Sequence, residues 1–376
     1  MPSPINPTPR SESPQRAIRQ RPHAGPVRVM IVEDSRVVRE YLQHVIGRDR
    51  RLEVVAAVKS AEEALRVLRR AAPDVISMDI RLPGMNGFEA TRQIMAQQPT
   101  PIVVVAASVE AEDLKISINA LRAGALAVVE KPVGASHADY EAMSSQLCTR
   151  LFIMSKVKVI RQRFQPRPRA AEKLARVPRT RPPGDSRPAT APRMLGIVAS
   201  TGGPHAVERL LTQLGPDFPL PVVLVQHITT SFHAAFVEWL DEVCPLPVVV
   251  AEEGVRPKGG VVYVAPADCH LRVGAERLLF DRGEPVSLQR PSGTVLLQSM
   301  AESLGPQALG VLLTGMGDDG AEGLAAIRRA GGPTIAEDES TAVVYGMPAV
   351  AVRLGAVCDS LPLHDIPGRV LELVGR

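Results

Sequence analysis

Three short polar segments in the C-terminal half carry side chains able to do acyl chemistry. Ser200-Thr201-Gly202-Gly203 follows the apolar run Met194–Ala199, Gln226-His227 follows Val222–Val225, and Thr314-Gly315-Met316-Gly317-Asp318-Asp319-Gly320 follows Leu309–Leu313. A serine hydroxyl is a weak nucleophile that needs a base within hydrogen-bond reach, and the base needs an orienting carboxylate. Ser200, His227 and Asp319 are those three residue types. The N-terminal half holds a different set. Glu33 and Asp34 follow one apolar run, Asp79 follows a second, and Lys131-Pro132 follows a third. Carboxylates gathered in one pocket repel each other unless a cation joins them. An all-oxygen ligand set favours Mg²⁺. A carboxylate can act as a nucleophile toward phosphorus, giving an acyl phosphate, and a neighbouring lysine can pair with the added phosphoryl group.

Taken singly, each C-terminal segment has other readings. Ser200 to Gly203 could cradle a phosphate, His227 could be a core histidine, and Asp319 could be the N-cap of a helix over Gly320–Ala330. Placed together on neighbouring strand ends, they read better as one site. Ser200 then sits at a strand-to-helix turn. Its glycines permit close backbone approach, Pro204 suits a first helical turn, and the helix N-terminus aims N–H groups at developing oxyanion charge. The chain order Ser…His…Asp differs from the Ser…Asp…His of α/β-hydrolases. The G-x-S-x-G elbow of that fold is also absent, because Ile197-Val198-Ala199 precedes Ser200.

The elements that must position these residues are legible as alternating patterns. Apolar runs at Arg28–Val32, Glu53–Val58, Asp74–Met78, Ile102–Val105 and Leu126–Val129 read as strands. Helical spacing separates them at Arg36–Ile46, Ala61–Arg70 and Asp113–Ala123. Five βα repeats imply a doubly wound parallel sheet over residues 28–160. Residues 1–27 read as a disordered extension. Residues 161–192, rich in Pro and Arg, read as a semi-extended tether. A second α/β domain is expected over 193–376, with short strands and an antiparallel extension at about 245–290. The carboxyl ends of parallel strands are where such sheets place their sites.

Composition narrows the function. The formal charge is +4, but residues 161–192 hold nine Lys/Arg against two Asp/Glu, and residues 1–27 hold four Arg against one Glu. Subtracting those balances of +7 and +3 leaves the rest of the sequence at −6. Aromatic residues are 3% of the chain, too few for a base-stacking surface. No apolar run approaches the ~20 residues of a membrane span, and the N-terminus lacks the apolar core of a signal peptide, so a cytoplasmic protein is expected. The four cysteines are scattered without metal-type spacing.

Residues 28–150 resemble a response-regulator receiver domain. The motifs that carry the resemblance are Val32-Glu33-Asp34-Ser35, Met78-Asp79-Ile80-Arg81-Leu82-Pro83-Gly84-Met85-Asn86-Gly87 and Val129-Glu130-Lys131-Pro132. The resemblance implies that Asp79 accepts phosphate from a histidine kinase. It also implies that Glu33, Asp34, Asp79 and the Arg81 carbonyl hold Mg²⁺, and that Lys131 contacts the phosphoryl group. Two positions depart from the pattern. Ala106 stands where receivers carry Ser or Thr, with Ser108 two residues later, and Val128 stands where an aromatic residue is common.

The second domain resembles the catalytic domain of CheB, the chemotaxis receptor methylesterase. The matching stretches are Gly196 to Pro204, Gln226-His227, Tyr263 to His270, Arg290-Pro291-Ser292, Leu313 to Gly320 and Val343 to Pro348. The resemblance implies a serine hydrolase with Ser200 as nucleophile, His227 as general base and acid, and Asp319 as orienting carboxylate. Thr201, Gly202, Gly203 and Met316 would line the oxyanion and substrate loop. The implied reaction is demethylation of glutamate γ-methyl esters, with deamidation of glutamines, on a methyl-accepting chemoreceptor in two-component signalling. No cofactor is implied for the ester step, and neither nucleic acid nor membrane insertion is expected. One departure is Gly293-Thr294, where the family usually reads Val-Asp. The other readings are a hydrolase for a different ester or amide, a phosphorylation-dependent interaction module, and a DNA-binding regulator. No helix-turn-helix pattern supports the last of these.

Overall fold

The structure, a computed structural model, describes residues 25–106, 124–131, 140–157, 190–274 and 277–375. The N-terminal extension to residue 24, Ser108, the helix expected over Asp113–Ala123, and residues 161–189 of the tether lie outside the described residues.

The N-terminal sheet has five parallel strands, β1 (Val27–Val32), β2 (Leu52–Val58), β3 (Val75–Met78), β4 (Ile102–Ala106) and β5 (Ala127–Glu130), in the order β2-β1-β3-β4-β5. Successive residues of a strand face opposite sides. Met30, Ile76 and Val104 therefore enter one core, while Val29, Ile31, Val103 and Val105 enter the other. Apolar residues on both faces are what a parallel sheet covered by helices requires. Helices start where polar caps permit. Ser35 caps Arg36–Gly47, Ser60 caps Ala61–Ala71, and Asn86 caps Gly87–Gln97, each accepting a backbone N–H three residues on. Ser35 thus fixes the turn that carries Glu33 and Asp34.

The C-terminal sheet has seven parallel strands. They are β6 (Met194–Ala199), β7 (Val222–Gln226), β8 (Val248–Val250), β9 (Val262–Val264), β12 (Ala308–Leu312), β13 (Thr334–Glu337) and β14 (Asp359–Leu361), ordered β14-β13-β12-β6-β7-β9-β8. The intervening β10 (His270–Gly274) and β11 (Arg277–Asp281) form a separate antiparallel hairpin. The antiparallel extension expected at 245–290 is therefore confined to that hairpin. The strands at 248–250 and 262–264 join the main sheet in parallel: Val262–Val264 is buried throughout against β7, and Val248–Val250 forms the sheet edge with only Val248 buried.

From β6 the chain runs outward through β7, then returns to lay β12 on the other side of β6. That reversal marks a topological switch point, the crevice where open sheets bind ligands. Among the described residues no helix is long and apolar enough to cross a membrane.

Candidate functional sites

At the carboxyl edge of the first sheet, Glu33 follows β1, Asp79 follows β3 and Lys131 follows β5. Backbone hydrogen bonds from Glu33 to Val58, from Asp79 to Val32 and from Lys131 to Ala106 carry the sheet pairing to these positions. Carboxylate oxygens of Glu33, Asp34 and Asp79 lie within 4.8 Å of one another. Lys131 Nζ is 2.9 Å from both Glu33 Oε2 and Asp79 Oδ2. Glu33 and Asp79 are buried, and Asp34 is exposed. Burial, then the charge of Asp79, push Glu33 up to about 7 against the pull of Lys131. Burial likewise raises the Asp79 carboxyl above its ordinary value, with Lys131 opposing. For Lys131, burial opposes the charged form, but Asp79 and Glu33 prevail and its pKa lies above the ordinary value. With one ammonium among three carboxyl groups, every metal-ligating donor of the pocket is an oxygen. Those donors fit a hard divalent cation. Ala106 ends β4 fully buried and brings no hydroxyl to this edge.

At the second edge, β12, β6 and β7 are adjacent, so the three polar segments that follow them converge as expected. Ser200 N–H donates to the Thr314 carbonyl at 3.0 Å, and His227 N–H donates to Ala199 at 2.9 Å. Gln226 straps the two ends together. Its buried Nε2 donates to the carbonyls of Ser200, at 2.8 Å, and His227, at 3.0 Å. The helix Gly203–Leu214 starts after Ser200 with left-handed Gly202 as N-cap and Pro204 in its first turn. The loop bearing Met316 approaches closely because residue 315 has no side chain. A Cβ on Gly315 would lie 2.8 Å from that of Ser200 and overlap the Met347 sulfur. Thr314 Oγ1 donates to the Thr201 carbonyl at 2.9 Å, tying this loop to the serine turn.

His227 Nε2 lies 2.8 Å from Asp319 Oδ2, while the buried Nδ1 has no hydrogen-bond partner. The carboxylate fixes the tautomer, with the proton on Nε2 and a lone pair on Nδ1. Ser200 does not donate to Nδ1 in this arrangement. Such bonds often form only when substrate is present. Burial alone would raise the Asp319 carboxyl, but His227, Ser292 and the Thr294 N–H outweigh it and hold the pKa below the ordinary value.

The structure corrects the alternative reading of Asp319. The helix after it spans Ala321–Arg329, is capped by left-handed Gly320, and donates none of its N–H groups to the Asp319 side chain. Asp319 turns instead to another helix, Gly293–Leu304. It accepts N–H bonds from Gly293 at 2.6 Å and Thr294 at 3.0 Å, and the Ser292 hydroxyl at 2.6 Å. The Gly293-Thr294 departure keeps this helix start intact. A Cβ at 293 would overlap the Val198 side chain, and the Thr294 hydroxyl accepts the Gly320 N–H at 2.7 Å. Sequence reasoning singled out Arg290-Pro291-Ser292 as a motif but gave Ser292 no contact with Asp319, and it left Gln226 without a task. His270 is buried behind the site. It accepts the Ser292 N–H at Nδ1 and donates to the Glu284 carbonyl from Nε2.

The halves touch near both sites. Ser231 Oγ donates to Glu130 Oε1 at 2.7 Å, and a small cavity there is lined by Val128, Val129, Glu130, Met143, Arg150 and Thr229.

The fold and the two sites define a two-domain α/β protein that pairs a receiver-type carboxylate cluster with a Ser-His-Asp constellation on a seven-stranded sheet. The CheB methylesterase family model matches residues 195–370, and the response regulator receiver domain model matches residues 29–139. A Paramagnetospirillum magneticum protein-glutamate methylesterase/protein-glutamine glutaminase is 52% identical over 349 residues, spanning 92% of this chain and 97% of that protein. A Myxococcus xanthus protein of the same name is 42% identical over 346 residues, spanning 92% and 96%. The crystal structure of the Thermotoga maritima CheB methylesterase catalytic domain is 35% identical, with TM-score 0.47, and covers 49% of this chain and all of that one (100%). The chain belongs to the protein-glutamate methylesterase/protein-glutamine glutaminase family.

Proposed function

We propose that this chain is a phosphorylation-regulated methylesterase that hydrolyses glutamate γ-methyl esters, and deamidates glutamines, on a methyl-accepting chemoreceptor in the cytoplasm. The observation that carries the reading is the buried His227–Asp319 pair, with Nδ1 left free, on the strand end adjacent to the one that leads into Ser200. Ser200 attacks the ester carbonyl as His227 Nδ1 takes its proton. The tetrahedral oxyanion is met by the Met316 N–H and the Thr201–Gly203 turn. His227 returns the proton to the departing methanol, or to ammonia when a glutamine reacts. Water then attacks the acyl enzyme with His227 again as base, and glutamate leaves. Asp319 keeps the imidazole in the productive tautomer and balances the imidazolium charge.

In the receiver, Asp79 is the phosphoacceptor for a histidine kinase and Lys131 the partner of the phosphoryl oxygens. Glu33, Asp34, Asp79 and the Arg81 carbonyl would hold Mg²⁺, whose charge offsets that of the incoming phosphoryl group. Phosphorylation shifts the balance between docked and released receiver. The Glu130–Ser231 contact supports a docked arrangement beside the hydrolase edge.

The test is methanol release from methylated receptor by wild-type protein and Ser200→Ala, each with and without acetyl phosphate and Mg²⁺. Release that needs Ser200 and rises with acetyl phosphate is expected. Release unaffected by Ser200→Ala would sink the serine mechanism, and no release from wild type would point to another substrate.

A further inference from the structure

Asp319 is gripped more completely than an orienting carboxylate needs for one histidine. A carboxylate has about four lone-pair sites. Here Oδ1 accepts from the Ser292 hydroxyl and the Thr294 N–H, and Oδ2 accepts from the Gly293 N–H and His227 Nε2. Every site is filled, so the group cannot rotate or take a proton without breaking a bond. Three of the four donors belong to the start of the helix Gly293–Leu304, whose dipole also favours negative charge.

Of those three, only the Ser292 donor is a side chain. Its direction is set from several sides. Ser292 Oγ accepts the Val295 N–H at 3.4 Å, and its proton is left for Asp319. The Ser292 N–H donates to His270 Nδ1 at 3.1 Å. His270 is fixed in turn by donating from Nε2 to the Glu284 carbonyl at 3.0 Å. The Thr294 hydroxyl ties Gly320, the neighbour of Asp319, to the same helix start. Ser292 is fully buried, so its hydroxyl makes this bond away from bulk water.

We propose that Ser292 is a positioning residue for the reaction. Its hydroxyl locks the Asp319 carboxylate in the rotation that keeps the His227 proton on Nε2 and the lone pair on Nδ1. The inference rests on the Ser-His-Asp reading above, while one of its readouts needs no substrate.

The experiment compares full-length wild type with Ser292→Ala and Ser292→Gly. At a helix N-cap, glycine substitutes for serine at a cost of only a few tenths of a kcal/mol, whereas alanine costs about 1. A residue that only caps would therefore leave Ser292→Gly close to wild type. A positioning residue would leave both variants equally impaired, since neither has a hydroxyl. Methanol release should fall about tenfold to a hundredfold in kcat in both, with KM within about twofold, as expected for misplacement by a fraction of an ångström. The second readout is the ¹⁵N spectrum of His227. Wild type should show one neutral tautomer, with the proton on Nε2, and both variants a mixture. Ser292→Gly with wild-type kcat and a single tautomer would overturn the proposal. A wild-type His227 protonated on Nδ1 would also overturn it, even if neither variant folds. If Ser200→Ala still releases methanol, the serine mechanism fails, and the tautomer readout still decides the role of Ser292.

Discussion

Ser231 donates its hydroxyl to the Glu130 carboxylate across the boundary between the halves, at 2.7 Å. Glu130 ends β5 one residue before Lys131, and Ser231 lies four residues after His227. The bond therefore joins the strand end that carries Lys131 to the helix that follows His227. A hydrogen bond to a charged group is worth about 1.5–3 kcal/mol when intact. Ser231→Ala and Glu130→Ala should each favour the released receiver and raise unphosphorylated methanol release severalfold. Acetyl phosphate should then add less than it does in wild type. Unchanged basal release in both variants would remove this contact from the control of activity.

Asp319→Asn replaces one acceptor oxygen by an NH₂ group in a socket lined by four donors. Some donor must lose its partner, and His227 loses the charge that fixes its tautomer. A fall in kcat of about 10⁴ is expected from the tautomer loss. A stability loss of about 1–3 kcal/mol should accompany it, since a buried donor is left unsatisfied. Because the Asp319 pKa is depressed in the folded state, its stabilising contribution is present above the unfolded carboxylate value and is lost as pH falls through the folded one. Urea unfolding of wild type and variant should therefore converge at low pH.

Glu337 gives the opposite sign. It ends β13 fully buried and accepts the Thr314 N–H at 2.9 Å, and burial pushes its pKa up to about 7 from 4.5. The folded state then binds the proton more tightly than the unfolded chain. Its cost to stability grows as pH rises from about 4.5 to about 7 and stays constant above that. Glu337→Gln should stabilise the protein at pH 8 by up to about 3 kcal/mol and change little at pH 4. Equal gains at both pH values in urea titrations would refute the linkage.

In the receiver, three carboxylates share one lysine, so a divalent cation should bind and stabilise the fold by mass action. Mg²⁺ should raise the wild-type Tm by a few degrees, about 1–3 kcal/mol at concentrations well above Kd. Asp79→Asn removes a ligand and a charge and should weaken that response. The same variant should take up no label from acetyl phosphate. Uptake that survives the substitution would place the phosphate elsewhere.

The sequence alone determined the strands that carry the two sites. β6 occupies Met194–Ala199 as expected, and the receiver strands shift by at most one residue at each end, because buried parallel strands need unbroken apolar runs whatever their neighbours. It also determined that Ser200, His227 and Asp319 share one edge, since each follows such a run and parallel strands end together. Tertiary structure decided what holds them there. The Asp319 side chain has helix starts available before and after it in the chain, and local sequence favours the one that follows. Only the packing of the helix Gly293–Leu304 against β6 and β12 brings Ser292, Gly293 and Thr294 to the carboxylate from 25 or more positions away. The His227–Asp319 bond, the strap from Gln226 to Ser200 and the Glu130–Ser231 contact are likewise long-range pairings. Each is set by how layers dock, and local propensity carries no signal for them.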